Sequence, residues 1–187
     1  MEHANAPKRR DGRTTDTRER IEEIALTLFI QRGFSGTKLQ DIADELGLTK
    51  TALYYHFPSK DELVRSLVQP AVEAVDAFFA SSDPAMEDER FLSGFFDLTY
   101  EHRLIFLALT ADPTGLGSID ATGWVTRLAV QAQEQLVGAN PTSDERIRAV
   151  MAINGLSRCA TLLTDIPHPE LRERSVAAAL QLLQGAR

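Results

Sequence analysis

Lys50, Thr51, Tyr54, Tyr55 and His56 crowd into one short stretch, and Lys60 follows a few residues later. These side chains donate hydrogen bonds, carry positive charge or present flat faces. That chemistry suits phosphate oxygens and base edges better than bond-making. Catalysis would need other patterns. His3, His56, His102 and His168 show neither H-x-x-x-H nor H-E-x-x-H spacing, and there is no G-x-S-x-G and no phosphate-cradling glycine loop. The lone Cys159 lies in an apolar stretch, where an inert buried thiol is expected rather than a reactive one, and it excludes an internal disulfide framework. The expectation is no enzyme, no cofactor and no metal site.

A side chain that reads a surface needs a rigid carrier, and the flanking residues supply one. Thr37 and Gln40 have the spacing of a capping box, opening a helix Lys38–Leu46 with Leu39, Ile42, Ala43 and Leu46 on one stripe. Gly47 fits the left-handed turn after it, and Thr49 is a second N-cap. The next helix, Lys50–Phe57, buries Leu53 and Phe57; Pro58 ends it, and Ser59 with Glu62 caps a third. Two short helices over 37–57 thus form a helix-turn-helix whose second member leaves Lys50, Thr51 and Tyr54 outward. A DNA major groove admits such a helix. A hairpin inside an ordinary bundle is the plain alternative, but neighbouring exposed tyrosines flanked by lysines serve no packing purpose. Lys50, Thr51, Tyr54 and Gln40 are candidates for base edges. Thr37, Lys38, Thr49, Tyr55, His56 and Lys60 are candidates for phosphate.

Thr37, Asp41-Ile42-Ala43, Gly47, Leu48-Thr49-Lys50, Leu53-Tyr54-Tyr55-His56-Phe57, Ser59-Lys60 and Leu63 resemble the DNA-binding signature of the TetR-type regulators. Ala25, Leu28-Phe29 and Gly33-Phe34 extend the match over Thr17–Leu67. Thr51 departs from the pattern, which often has a smaller residue there. The resemblance implies a homodimer on a palindromic operator, and a C-terminal helical body that encloses a small molecule. It also implies that the last two helices pair with their copies.

Charge is divided in a way the total conceals. The net charge is −7, yet residues 1–66 hold 11 Lys/Arg and 11 Asp/Glu, so the remainder carries the whole excess. A neutral head with local basic clusters on an acidic body favours one docking orientation on DNA. No run approaches the ~18 apolar residues of a membrane span. The start, MEHANAPKRRDGR, lacks the hydrophobic stretch of a secretion signal, so the expected location is cytoplasmic.

The pattern along the chain predicts an all-α protein of about nine helices without strands or repeats. Residues 1–14 form a basic arm with Lys8, Arg9, Arg10 and Arg13, either solvated or touching DNA. Residues 15–66 form the helix-turn-helix head, and 67–187 the ligand-binding and dimerisation body. Pro70 predicts a kink in the long helix joining them. Asp83-Pro84 predicts a helix start, Asp112-Pro113 with Gly115 and Gly117 a loop, and Ile119–Val137 a helix. Thr142 with Glu145 opens the next, and Glu170–Gln184 is the last.

Phe91, Phe95, Phe96, Tyr100, Phe106, Trp124, Leu128 and Met151 concentrate bulky apolar groups mid-body, with Asn154 as a polar group among them. They are ordinary core or the lining of an effector cavity, which the resemblance favours. Ile147, Val150 and Leu156, then Val176, Ala177, Ala179, Leu180 and Leu183, are the candidate dimer face. The sequence thus points to a ligand-responsive transcriptional regulator, most simply a repressor, released by an apolar or aromatic effector. An activator, a ligand-independent regulator and a small-molecule sequestering protein are the alternatives.

Overall fold

The computed structural model describes residues 12–83, 85–112, 121–138 and 140–185. Among them are nine α-helices and no strand: α1 (Gly12–Arg32), α2 (Leu39–Leu46), α3 (Lys50–His56), α4 (Lys60–Ser81), α5 (Asp88–Glu101), α6 (Arg103–Ala111), α7 (Ala121–Val137), α8 (Ser143–Leu162) and α9 (His168–Gln184). The fold is all-α, an N-terminal helix-turn-helix head on a helical body.

Local chemistry accounts for most boundaries. Thr49, Ser59 and Thr142 each accept a backbone N–H from three residues on, at 3.2, 3.1 and 3.3 Å. Glu145 completes the Thr142 box by accepting from the Thr142 N–H at 2.7 Å, and these bonds hold its carboxyl below the usual range. Gly47 adopts φ 64°, which a side chain would strain, and its N–H returns to Asp44 O. His102 is the C-cap of α5 and the N-cap of α6, so it marks the break between them. α4 runs unbroken through Pro70, whose ring lies on the exposed side.

Two starts differ from expectation. The N-cap of α2 is Lys38 rather than Thr37, and the reciprocal bond comes from Asp41, which accepts the Lys38 N–H at 2.8 Å. Asp83 does not open α5; its carboxylate accepts from Ala85 N at 2.7 Å in a turn, and the helix begins at Asp88. An Asx-type turn satisfies the aspartate locally and competes with capping. Lys8, Arg9, Arg10, Pro84, Pro113, Gly115, Gly117 and Ile119 lie outside the described residues, as does the side chain of Arg13.

The interior forms two apolar clusters. One gathers Ile21, Ala25, Leu28 and Phe29 of α1 with Ile42, Leu53 and Phe57 of the helix-turn-helix and Leu63, Val64 and Val68 of α4. The other gathers Phe91, Leu92, Phe95 and Phe96 of α5 with Ile153, Leu156, Ala160, Leu171, Val176 and Ala179. α6 serves both: Ile105 and Leu109 enter the first cluster and Phe106 the second. Helical spacing explains this, since residues 105 and 109 share a face that 106 does not.

Candidate nucleic-acid interface and cavity

α3 is held from beneath and open above. Leu53 and Phe57 are 0% and 1% exposed, whereas Tyr54 and Tyr55 are 40% and 78% exposed. Thr49, Lys50 and Thr51 are exposed as well, and the Lys50 ammonium lies 5.6 Å from the Tyr54 ring centroid. α1 fixes the far end of α3: the Arg18 guanidinium sits 4.2 Å over the Phe57 ring and donates to the His56 carbonyl at 3.3 Å. Arg18 pairs with Glu22 at 3.4 Å, and Glu22 accepts from the Ser66 hydroxyl at 2.8 Å, linking α1, α3 and α4. The outward row is therefore rigidly mounted, as a reading surface must be.

Lys38 and Gln40 are exposed on α2, with the Gln40 amide donating to Asp44 at 2.6 Å. His56 is half-buried, its ring edge-on to Tyr55 at 5.5 Å. Two expected phosphate contacts are corrected. Thr37 is 0% exposed, and its hydroxyl donates to Gly33 O at 2.9 Å and Leu28 O at 3.3 Å. It shapes the turn after α1 and offers no side-chain atom to a backbone. Lys60 turns inward, donating to the Phe34 carbonyl and lying 4.2 Å from the Phe34 ring centroid. Burial lowers its pKa, partly offset by Asp112, Asp61 and Asp41. Its role is to clamp the α1–α2 turn.

Asp112, just past α6, touches that same turn. Its Oδ2 accepts the Ser35 N–H at 2.9 Å and lies 3.0 Å from the point where a Cβ on Gly33 (φ 74°) would stand. Neither Arg18 nor Asp112 stood out in the sequence, because their partners lie 38 and 77 residues away.

A cavity of about 120 Å³ opens among α5, α6, α7 and α8. Phe95, Phe106, Leu128 and Asn154 line it as expected, together with Thr99, Thr110, Ser157, Arg158 and Thr161, which the sequence did not suggest. Phe96, Tyr100, Trp124 and Met151 do not. Phe96 stacks on Tyr100 at 6.0 Å, and Tyr100 faces His168 at 4.3 Å on the α9 side. Trp124 stacks behind Phe106 at 5.6 Å. Met151 is 54% exposed and joins Ile147 and Val150 on the outer face of α8. Asn154 donates one amide N–H to Val150 O at 2.9 Å, which leaves its second N–H and its carbonyl oxygen uncommitted there.

The candidate dimer face is corrected likewise. Leu156, Val176 and Ala179 are buried in the chain's own core, at 2%, 5% and 3% exposure. Leu180 and Leu183 are half-buried against it. Ile147 and Val150 remain outward, and Ala177 is exposed on α9. Among the described residues no metal-holding cluster exists, and no helix is long and apolar enough to cross a membrane.

Residues 21–67 match the family model described as bacterial regulatory proteins, tetR family. The negative transcriptional regulator IcaR of the biofilm operon icaADBC in Staphylococcus epidermidis is 29% identical over 106 residues, 54% of this chain and 57% of that protein. The transcriptional regulator TtgR of Pseudomonas putida is 40% identical over 74 residues, 40% of this chain and 34% of that protein. These matches span about half or less of either relative. The fold is similar to a transcriptional regulator from Aquifex aeolicus VF5, with a TM-score of 0.63 and 21% identity over 87% of this chain and 96% of that one. The head's signature over residues 21–67 is thus that of the tetR family of bacterial regulatory proteins, carried on a helical body of similar fold.

Proposed function

We propose that this protein is a cytoplasmic transcriptional repressor that binds a two-fold operator as a homodimer and leaves it when a small molecule enters the cavity. The observation that carries the proposal is the contrast across α3: Leu53 and Phe57 fully buried, Lys50, Thr51, Tyr54 and Tyr55 open on the opposite side. Lys50, Thr51, Tyr54 and Gln40 are assigned to base edges. Lys38, Thr49, Tyr55 and His56 are assigned to phosphate.

One short helix reads few bases, so a second copy is needed to make a specific site. The exposed apolar row Ile147, Val150 and Met151 on α8 and the exposed Ala177 of α9 support pairing through these helices. Repression rather than activation draws on the name of IcaR, a negative regulator.

Release works through α6. Phe106 and Thr110 line the cavity, Ile105 and Leu109 pack in the head's core, and Asp112 holds the turn before α2. A ligand that shifts α6 therefore changes how α2 and α3 sit. Linkage then requires operator DNA to weaken ligand binding by the same factor.

The test is a gel shift of the full chain with its own upstream DNA, coupled to a reporter in a deletion strain. Higher reporter output on deletion supports repression, and lower output makes the protein an activator. A chain that binds small molecules but no upstream fragment is a sequestering protein instead.

A further inference from the structure

We propose that the cavity takes a single-ring aromatic acid bearing a hydroxyl donor, with its carboxylate paired to Arg158. This rests on reading the cavity as the effector site and deepens it by naming the ligand class.

Size limits the ligand first. The cavity measures about 120 Å³, and an apolar protein cavity of about 150 Å³ holds one benzene. The space therefore takes no more than one ring, with a substituent left at the open mouth. Phe95, Phe106 and Leu128 are buried walls that give the ring apolar and aromatic contact.

The hydroxyls inside set the polarity. Thr99 donates to Phe95 O at 2.8 Å, Thr110 to Phe106 O at 2.9 Å and Thr161 to Ser157 O at 2.9 Å. A hydroxyl has a single hydrogen, so each of the three has committed its donor to its own helix and keeps only lone pairs for a ligand. Asn154 keeps its carbonyl oxygen and its second N–H, and Ser157 its hydroxyl, as further polar groups of the lining. Beside the three threonines the cavity only accepts, so a ligand hydroxyl placed there must donate.

Charge sets the other end. Arg158 is the one charged residue of the lining; it is exposed, and its side chain makes no hydrogen bond or ion pair among the described residues. No carboxylate accompanies it in the lining. A planar guanidinium without a partner at the mouth of an apolar cavity selects a carboxylate, which it can bind through two parallel bonds. An acid at the mouth, a ring along the walls and a hydroxyl at the threonines describe a hydroxyaryl carboxylate.

The test is calorimetry on the full chain, without DNA, using 4-hydroxybenzoate, its amide 4-hydroxybenzamide and unsubstituted benzoate as probes. The expected result is binding of 4-hydroxybenzoate, with each of the other two roughly tenfold weaker. Arg158→Gln should abolish the preference for acid over amide and leave amide binding unchanged. Thr161→Val should abolish the preference for hydroxybenzoate over benzoate. Equal binding of acid and amide to the unaltered protein, a preference that survives Arg158→Gln, or no binding of any probe would overturn the proposal. Adding 4-hydroxybenzoate to the protein–DNA complex scores the effector reading separately: tight binding that leaves DNA affinity unchanged removes that reading and leaves the ligand class standing.

Discussion

The Asp112 carboxylate accepts a hydrogen bond from the Ser35 backbone N–H at 2.9 Å, so the end of α6 holds the turn that enters α2. Thr110, two residues before it, lines the cavity. Cavity and reading head are thus joined through α6, by the Asp112 contact at its end and by Ile105 and Leu109 packed in the head's core.

Asp112→Ala should therefore weaken the coupling between the two ends. The factor by which ligand changes DNA affinity should fall by about fivefold or more, while ligand affinity in the absence of DNA stays the same. Paired titrations with and without operator measure this, and an unchanged coupling factor would remove Asp112 from the route.

Lys50 and Lys60 should behave differently, because one faces outward and the other clamps Phe34. Lys50→Ala should relax sequence preference and, where its ammonium also meets phosphate, flatten the salt slope by up to about one. Lys60→Met should leave the slope alone and lower thermal stability. Burial lowers the Lys60 pKa in the fold, so the unfolded chain holds the proton more tightly. Stability from this group therefore rises as pH climbs from that lowered pKa through 10.5, the ordinary lysine value. Relative to Lys60→Met, the unaltered protein should gain stability over that alkaline window, as urea midpoints will report. A matching loss of salt slope in both variants would return Lys60 to the phosphate contacts.

The helix starts capped by Thr49, Ser59 and Thr142, the left-handed Gly47 and the outward row on α3 were legible in the sequence because their causes lie within four residues. What crosses the chain was not. Nothing near Thr37 signals that its hydroxyl reaches back nine residues to Leu28. The outer face of α8 was half-legible for another reason. Ala149, Ala152, Ile153, Leu156 and Ala160 are buried, yet Ile147, Val150 and Met151 are exposed, so the helix is apolar on two sides. Periodicity finds both stripes and does not say which one the chain keeps for itself. The cavity's threonines escaped notice because hydroxyls within helices usually bond their own backbone, as these do.

Thr37→Val should destabilise the head by about 1–2 kcal/mol, because two carbonyls lose a buried donor. Thr37→Ser keeps the hydroxyl and should recover most of that loss. Urea unfolding of both variants decides it; equal midpoints for Val and Ser would mean the hydroxyl contributes nothing.

Ile147→Glu combined with Met151→Glu should yield a folded monomer with little specific DNA affinity. Leu156→Ala, on the inner stripe, should instead cost about 2–5 kcal/mol of stability and leave the dimer intact at low denaturant. Light scattering after size exclusion separates the two outcomes. A double glutamate variant that stays dimeric would place the interface elsewhere.

The most direct measurement is a fluorescence anisotropy titration of the full chain on its own upstream duplex and on a scrambled duplex of equal length, with stoichiometry determined at saturation. The expected result is two chains per site and binding at least about a thousandfold tighter to the upstream sequence, lost on Tyr54→Ala with Lys50→Ala. Equal affinity for both duplexes, or no binding at low salt, would contradict the assignment of α3 as the helix that reads DNA.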